Sequence, residues 1–405
     1  MVSTMDRSGP SLLVAALFFF VGCSRESAQV PYENIDLSTR KATVSGRNAF
    51  DSYVRLSVRA SKLSSVSLDA RATRGNRKKE IEVMMGVFQD LARATRDECA
   101  FKYSPIAPFE RVPFREGWIK IARALTWYIE DLAAQGRTME AARWTIVATT
   151  FGLDLCGGTM SDATLGYEIA NDARAVIAGS LTSLSASELN ELGTGIARAL
   201  DRMPRAETTI ANESVQMLTA IKLIQSSHQN GTLDALAKSF YGRSRAAIAS
   251  LSKFDDQKRS VFFRSLLNEQ VRVVERLVDD ASQPGAMRGE LVSSLSGEGK
   301  VLAEDFFYGG DSWLRLRDKS LARTRLLALT AFVIATAQSS GKAPESLDEI
   351  RTGLDLDPYT NKKMGYIPLG RDFIMYSFGE DGKDDRGDSD SKRLSPDIRL
   401  EDAPL

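Results

Sequence analysis

The feature that most constrains this chain is a helical spacing of apolar residues that continues almost without a break over residues 76–337. Apolar side chains recur at the i, i+3, i+4, i+7 spacing that places them on one face of an α-helix. A clear early example consists of Ile81, Met84, Met85, Val87, Phe88 and Leu91. Only two prolines, Pro204 and Pro284, fall between residues 113 and 344, so few helices are interrupted. The sequence therefore predicts a mainly α-helical body.

Helix starts and stops recur through this stretch. The segments Ser185-Ala-Ser-Glu188 and Ser346-Leu-Asp-Glu349 match the capping box, in which two residues satisfy each other's free N–H groups at a helix start. Glycine commonly ends a helix because it adopts a left-handed backbone without strain. The predicted helix ends are at Gly136, Gly157, Gly158 and Gly231.

One predicted turn joins two amphipathic helices, from Gly136 to Ala142. It resembles the turn of a tetratricopeptide-type (TPR-like) hairpin, although no three copies occur at the 34-residue period of that repeat. Residues 113–220, with a Gly-x-x-x-x-Ala hairpin and a Ser-x-x-Glu-capped helix, resemble a family of uncharacterised exported bacterial lipoproteins. We therefore expect an irregular multi-helix array containing TPR-like hairpins.

The N-terminus carries an export signal. Residues 11–22 form an apolar run that is too short to span a bilayer, which needs about 20 apolar residues, but suits the core of a signal peptide. The run ends in Phe20-Val21-Gly22-Cys23, which resembles the bacterial lipobox. The resemblance implies that Cys23 is diacylated and becomes the new N-terminus. A plain signal peptide and an uncleaved anchor are the alternatives.

These observations predict the organisation of the whole chain. The predicted parts are a signal peptide (1–22), a lipidated polar tether (23–45), a helical body (46–310), a long helix with a small module (311–390) and a disordered tail (391–405). The expected location is the bacterial cell envelope, with the protein held to a membrane on the periplasmic side or at the outer membrane.

Two cysteines remain when Cys23 is assigned to the lipid. Cys99 and Cys156 lie 57 residues apart, and an isolated pair in an oxidising compartment favours a disulfide. Closing a loop of that length stabilises the folded chain by about 4 kcal/mol in the chain-entropy model. The alternative is a pair of buried free thiols.

The character of the sequence changes after Ala337. Alternating residues predict two short strands, at 364–367 and 373–378, joined by a turn at Leu369-Gly370-Arg371. The predicted module is therefore α+β, with a β-hairpin following the long helix. The order Asp357-Pro358-Tyr359, then Tyr376-Ser-Phe-Gly-Glu-Asp-Gly382, resembles the C-terminal half of the major pseudopilin of type II secretion over residues 321–390.

The loop after the second predicted strand is strongly acidic. Residues 380–390 contain six carboxylates among tight-turning glycines, and calcium prefers six to eight hard oxygen ligands. The pseudopilin resemblance also implies a calcium loop at this place. The candidate ligands are Asp381, Asp384, Asp385 and Asp388, with the carbonyl of Ser377. A solvated acidic segment is the alternative.

The sequence narrows the functional class without defining a reaction. Lys+Arg and Asp+Glu both total 53, so the zero formal charge argues against a nucleic-acid partner. His228 is the only histidine, and the chain has no Gly-x-Ser-x-Gly, P-loop or dinucleotide motif. We expect a non-catalytic envelope lipoprotein that acts as a helical interaction scaffold. The alternative is a lipid-anchored hydrolase on an all-helical frame.

Overall fold

The helical prediction is confirmed, and a small two-stranded antiparallel sheet follows the helices. A computed structural model describes residues 46–63, 74–102, 112, 114–240, 242–307, 309–389 and 397–401. The signal peptide, Cys23 and the tether lie outside these residues.

The α-helices are α1 (Ala49–Leu63), α2 (Arg74–Ala94), α3 (Arg115–Ala134), α4 (Thr138–Leu155), α5 (Met160–Ala178), α6 (Ala186–Arg202), α7 (Ala206–Gln229), α8 (Leu233–Ala237), α9 (Gly242–Ser250), α10 (Asp256–Ser282), α11 (Gly297–Phe307) and α12 (Gly309–Ser340). Short 3-10 turns span Leu181–Ser183, Leu251–Lys253, Gly285–Met287 and Leu347–Glu349, and the strands are β1 (Gly365–Leu369) and β2 (Asp372–Tyr376).

Local signals placed several helix ends correctly. The capping box at Ser185 is formed, since Glu188 accepts the Ser185 N–H at 2.8 Å and Ser185 accepts the Glu188 N–H at 3.4 Å. Gly136 has φ +74° between α3 and α4, as expected for a helix-ending glycine. These two helices pack together as the predicted hairpin, while its TPR-like character stays a prediction.

The capping box predicted at Ser346 is wrong. Only a single 3-10 turn, Leu347–Glu349, follows Ser346, and the Glu349 carboxylate accepts the N–H of Glu345 instead of that of Ser346. The chain leaves the helical conformation at Ile350, where φ is −95° and ψ is 85°. A capping box needs a continuing helix, and here the chain turns toward the strands.

Two hydrophobic cores organise the molecule, and α12 belongs to both. The first core contains α1–α6, the second half of α12 and the C-terminal module. The second core contains α7–α11, the start of α12 with Trp313 and Leu314, and a few residues of α4–α6 such as Tyr167. The helical stretch Gly297–Ser340, which includes α12, contains a window apolar enough to cross a membrane by composition, but 72% of that window is buried inside the protein. The prediction that this is a buried helix is confirmed.

The β-hairpin uses its two faces differently. Its register pairs Gly365 with Tyr376 and Leu369 with Asp372, with Pro368 opposite Phe373. Met375 and Phe373, which point to one face because side chains alternate along a strand, pack on the first core. The opposite face, which carries Tyr376, is covered by the acidic loop that follows β2.

Helices α4 and α5 cross at unusually short range through two glycines. A Cβ atom added at Gly152 would lie 2.4 Å from the Gly166 carbonyl oxygen, and one added at Gly166 would lie 2.1 Å from the Gly152 carbonyl oxygen. Both clashes involve backbone atoms, so a flexible side chain cannot relieve them. The packing of the first core therefore depends on glycine at both positions.

We expect Gly166→Ala to destabilise the protein by about 1–3 kcal/mol, as overpacking a core does, because the two helices must move apart. Urea unfolding followed by circular dichroism measures the loss. Gly179→Ala is the matched control, since Gly179 ends the same helix with φ −72° and has open space around its Cβ position. If Gly166→Ala lowered the free energy of unfolding no more than Gly179→Ala does, the close approach of α4 and α5 would be contradicted.

Candidate functional site

The C-terminal module is joined to the helical body by backbone hydrogen bonds. Gly285 N–H donates to the Pro358 carbonyl at 3.1 Å, and Ala286 N–H donates to the Tyr359 carbonyl at 3.0 Å. The 3-10 turn that connects α10 to α11 therefore holds the turn that precedes β1. Tyr359 is only 1% exposed at this contact.

Buried charges reinforce the same junction. Asp318 of α12 is 1% exposed and forms ion pairs with Arg288 at 2.5 Å and with Arg317 at 3.1 Å. Burial raises the pKa of Asp318, while Arg288 and Arg317 oppose that shift. A buried carboxylate is tolerated when it is paired in this way.

A second buried carboxylate ties the module together internally. Asp357, 1% exposed, accepts hydrogen bonds from the Ser377 hydroxyl at 2.5 Å and the Thr360 hydroxyl at 2.9 Å. Burial raises the pKa of Asp357, and these hydrogen bonds lower it. Ser377 also exchanges main-chain hydrogen bonds with Ile398, at 3.0 and 2.9 Å. The predicted ligand carbonyl of Ser377 therefore already accepts a bond that closes the module.

The acidic loop folds tightly against the hairpin. Its residue Asp384 accepts the Tyr376 hydroxyl at 2.6 Å and the Arg386 N–H at 2.9 Å. Asp381 accepts the Lys383 N–H at 3.1 Å. At Gly387, where φ is +77°, a Cβ would approach Ile374 to 2.8 Å, so only glycine fits this turn.

Main-chain bonds continue the loop toward the end of the described chain. The Asp385 carbonyl accepts the Asp388 N–H at 3.2 Å, and the Asp388 carbonyl accepts the Asp397 N–H at 3.1 Å. The four carboxylates predicted as ligands thus belong to one folded loop. This loop is bounded by β2 on one side and by residues 397–401 on the other.

Asp397 is the functional candidate that sequence reasoning missed. Its side chain is 1% exposed and accepts the Gly387 N–H at 2.7 Å through Oδ2. Its Oδ1 atom is buried without a hydrogen-bond partner among the described residues. Burial raises the pKa of Asp397 to about 6, the charges of Asp385 and Asp384 raise it further, and the backbone N–H groups of Gly387 and Asp385 oppose this rise. A buried, partly unsatisfied carboxylate therefore faces the acidic loop.

The sequence placed Asp397 in a disordered tail, whereas residues 397–401 pair and pack with the module. Ile398 and Leu400 are 7% and 3% exposed. The Leu400 carbonyl accepts a hydrogen bond from the guanidinium of Arg174, which lies on α5. The alternation Asp397-Ile398-Arg399-Leu400 was the available signal, but Asp and Arg are not residues typical of strands and no turn with a second alternating run accompanies it.

The oxygen atoms of the acidic loop are of the kind that binds calcium, but the described side chains that carry them do not converge on one point. Carboxylate and carbonyl oxygens are the ligands that calcium prefers. Within the residues that the structure describes, no three His, Cys, Asp or Glu side chains converge at metal-binding distance. The buried Oδ1 of Asp397, which accepts no hydrogen bond from the described residues, is the observation that fits a cation at this loop. A metal ion is one of the partners that stabilise a buried carboxylate.

The two predicted disulfide partners are free thiols in the structure. Cys99 Sγ lies 3.9 Å from the Asp154 carbonyl oxygen, and Cys156 Sγ lies 3.8 Å from that of Gly152. Burial raises the pKa of Cys156 to about 12 and that of Cys99 above its usual range. Cys99 contacts the first core and Cys156 belongs to the second. The structure therefore favours the alternative of two free thiols, with Cys156 buried and Cys99 half-buried.

One acidic pair bears on the alternative of a hydrolase. Glu168 and Asp172 lie one turn apart on α5. Desolvation raises the pKa of Glu168 to about 7, and the charge of Asp172 raises it further. Desolvation also raises the pKa of Asp172 to about 6, helped by Glu130 and opposed by Arg123 and Arg174. Such shifts suit acid–base chemistry but also occur in structural clusters, so the hydrolase stays a prediction.

Comparisons of the chain with protein-family models, curated proteins and solved structures found no match. The function proposed below therefore depends on the residues and geometry of this chain.

We expect Asp397→Asn to stabilise the protein by about 1–3 kcal/mol at pH 7.5 in the presence of a chelator. The pKa of Asp397, about 6, lies above the ordinary 3.8, so ionisation of this carboxyl costs the folded state stability as pH rises through 6. Asparagine keeps an acceptor for Gly387 without the charge. The difference should vanish near pH 4, as urea unfolding measures, while Asp372→Asn on the exposed hairpin turn should show no such trend. A gain that persists unchanged at pH 4 would contradict this assignment.

Proposed function

We propose that this chain is a non-catalytic lipoprotein of the bacterial cell envelope whose helical body is a scaffold for protein contacts. In this proposal Cys23 carries the lipid, residues 24–45 form the tether, and the α3–α4 hairpin contributes a TPR-like surface. The C-terminal module binds calcium through its acidic loop. The protein acts at a membrane, on the periplasmic side or at the outer membrane.

The observation that supports the scaffold best is the junction between the module and the body. Asp318, buried and paired with Arg288 and Arg317, fixes the position of α12 beside the module. Arg174 of α5 also donates a hydrogen bond to the carbonyl of Leu400. Such contacts combine body and module into one continuous surface, which is what a protein that holds partners requires.

The N-terminal sequence supports the anchor. An apolar run followed by Gly22-Cys23 has the pattern of a lipidated export signal. Each buried acyl methylene adds about 0.8 kcal/mol, so two or more chains give stable attachment. In this proposal the polar residues 24–45 connect the lipid to the helical body.

The anchor predicts a specific labelling result. Expressed in a bacterium supplied with radiolabelled palmitate, the wild-type chain should become labelled and sediment with membranes. Cys23→Ser should lose the label and leave the membrane fraction, whereas Cys99→Ser, a matched cysteine change in the body, should keep both. Labelling of Cys23→Ser, or an unlabelled wild-type chain, would contradict lipidation at Cys23.

The acidic loop supports the calcium proposal. Asp381, Asp384, Asp385 and Asp388 lie on one folded loop, and the buried Oδ1 of Asp397 faces it without a hydrogen-bond partner among the described residues. The carbonyl of Ser377 is the further ligand proposed from the sequence. Bound calcium would offset part of this negative charge and fix the loop against the hairpin.

Calorimetric titration of the mature chain with calcium should give a saturable heat. At a hundredfold excess over the dissociation constant, calcium should add about 2.7 kcal/mol to the unfolding free energy. Asp384→Asn and Asp397→Asn should each weaken binding at least tenfold, while Asp372→Asn should not change it. The absence of any heat at millimolar calcium would end the calcium proposal and leave the scaffold untouched.

A further inference from the structure

A cavity of about 730 Å³ lies between the hairpin and the helical body. Residues 371–375, which include most of β2, form one wall, and α12 contributes Ile334 and Ala337 to the other. Leu181 and residues 399–401 also line the cavity. Strand β2, at the edge of the sheet, therefore forms one side of the cavity, and apolar residues of α12 form the side opposite to it.

The register of the hairpin shows which backbone groups of β2 face this cavity. Leu369 and Asp372 close a two-residue turn, so this pair exchanges both main-chain hydrogen bonds. By alternation, Ile374 and Tyr376 also direct their N–H and C=O groups toward β1. The N–H and C=O groups of Phe373 and Met375 therefore point away from β1, along the outer edge.

The same outer edge already pairs with a strand-like segment at its far end. Ser377, two residues after Met375, exchanges both main-chain hydrogen bonds with Ile398. Beyond Ile398 the chain leaves this edge, and the Leu400 carbonyl instead meets Arg174 of α5. The pairing edge thus continues past Ile398 toward Phe373 with no strand beside it among the described residues.

An extended peptide matches this opening in hydrogen bonding and in shape. A segment laid beside β2 would pair with Phe373 and Met375 and would continue the line begun by Ile398. Its alternate side chains would point to the same face as Met375, toward the apolar residues Leu181 and Ile334. The five residues of β2 cover about 17 Å, the length of an ordinary short strand.

A second copy of this chain fits less well. Its own hairpin is backed by α12 and flanked by residues 399–401, so it would bring helices into a cleft that already has helices on its far side. A single extended segment avoids that collision. Strand addition of this kind gives affinity through the main chain and specificity through alternate side chains.

We propose that the outer edge of β2 captures an extended segment of a partner protein, with apolar side chains at alternate positions, as a third strand of the sheet. This inference deepens the scaffold proposal by naming its docking site and partner class. It needs neither calcium nor the lipid.

The test uses random eight-residue peptides displayed on phage and selected on the purified mature chain, followed by anisotropy measurements on the enriched peptides. Three chains are compared: wild type, Phe373→Ala and Phe373→Pro. Both variants lose the aromatic ring, but only proline also loses the outward N–H, and proline is tolerated on an edge strand. Protection of the inward Ile374 amide from hydrogen exchange verifies that the hairpin of each variant is folded.

We expect the enriched peptides to alternate apolar and polar residues. They should bind Phe373→Ala within about threefold of its wild-type affinity and Phe373→Pro at least tenfold more weakly, a loss of about 1.4 kcal/mol. The amides of Phe373 and Met375 should exchange quickly in the free chain and slow down when peptide is bound. One matched pair of variants thus isolates a single hydrogen bond.

Three results would overturn the proposal. They are equal binding to the alanine and proline variants, an absence of enriched peptides, and slow exchange of both outer amides in the free chain, which would mean that residues 402–405 or another segment already fill the edge. A partner that co-purifies from membranes equally with wild type and Phe373→Pro would keep the scaffold function and reject this docking site. The two proposals can therefore fail separately.

Discussion

The burial of α12 in both hydrophobic cores is the constraint on which the rest of the structure depends. Its first turns pack with α7–α11, and its later turns pack with α1–α6 and the module. The helix also carries polar groups into that interior, since Asp318 and Arg323 are 1% and 4% exposed. Such groups cost several kcal/mol when unpaired, so segments far away in sequence must supply partners. Arg288 pairs with Asp318, and Asn171 accepts from Arg323 at 3.3 Å.

Residues 397–401 connect the acidic loop to the cavity beside β2. Asp397 is held by Gly387 of the loop, Ile398 pairs with Ser377, and Leu400 meets Arg174 of the body. The same five residues therefore border the candidate cation site at one end and form a wall of the cavity at the other. A cation that stabilises the buried Asp397 carboxylate would also stabilise this wall of the cavity, because only one residue separates Asp397 from Arg399.

Features that depend on residues close together in sequence could be predicted. Features that depend on contacts between residues far apart in sequence could not. The Ser185 capping box and the hairpin around Gly370 are local, and both are present. The box at Ser346 failed because the chain turns away after Glu349, which a four-residue motif does not encode. The mainly helical fold followed from a periodicity repeated over more than 250 residues.

The candidate site shows the same division. The acidic loop was visible as a cluster of carboxylates, but the approach of Asp397 to Gly387 depends on a chain that returns after ten residues. The spacing of Cys99 and Cys156 says nothing about the direction of their side chains, and in the structure each sulfur lies near a helix carbonyl. The pairing of Asp318 with Arg288 spans thirty residues and has no sequence signature.

Pro368 gives the small sheet an asymmetry between its two edges. It stands opposite Phe373 in a pair whose N–H groups would point outward, and proline has no N–H to offer. The free edge of β1 therefore lacks a donor where the free edge of β2 has one. Exposed strand edges are common starting points for aggregation, and proline is a frequent means of suppressing it. The sheet thus has one edge that discourages stacking of copies, while the opposite edge lies recessed against helices of the same chain.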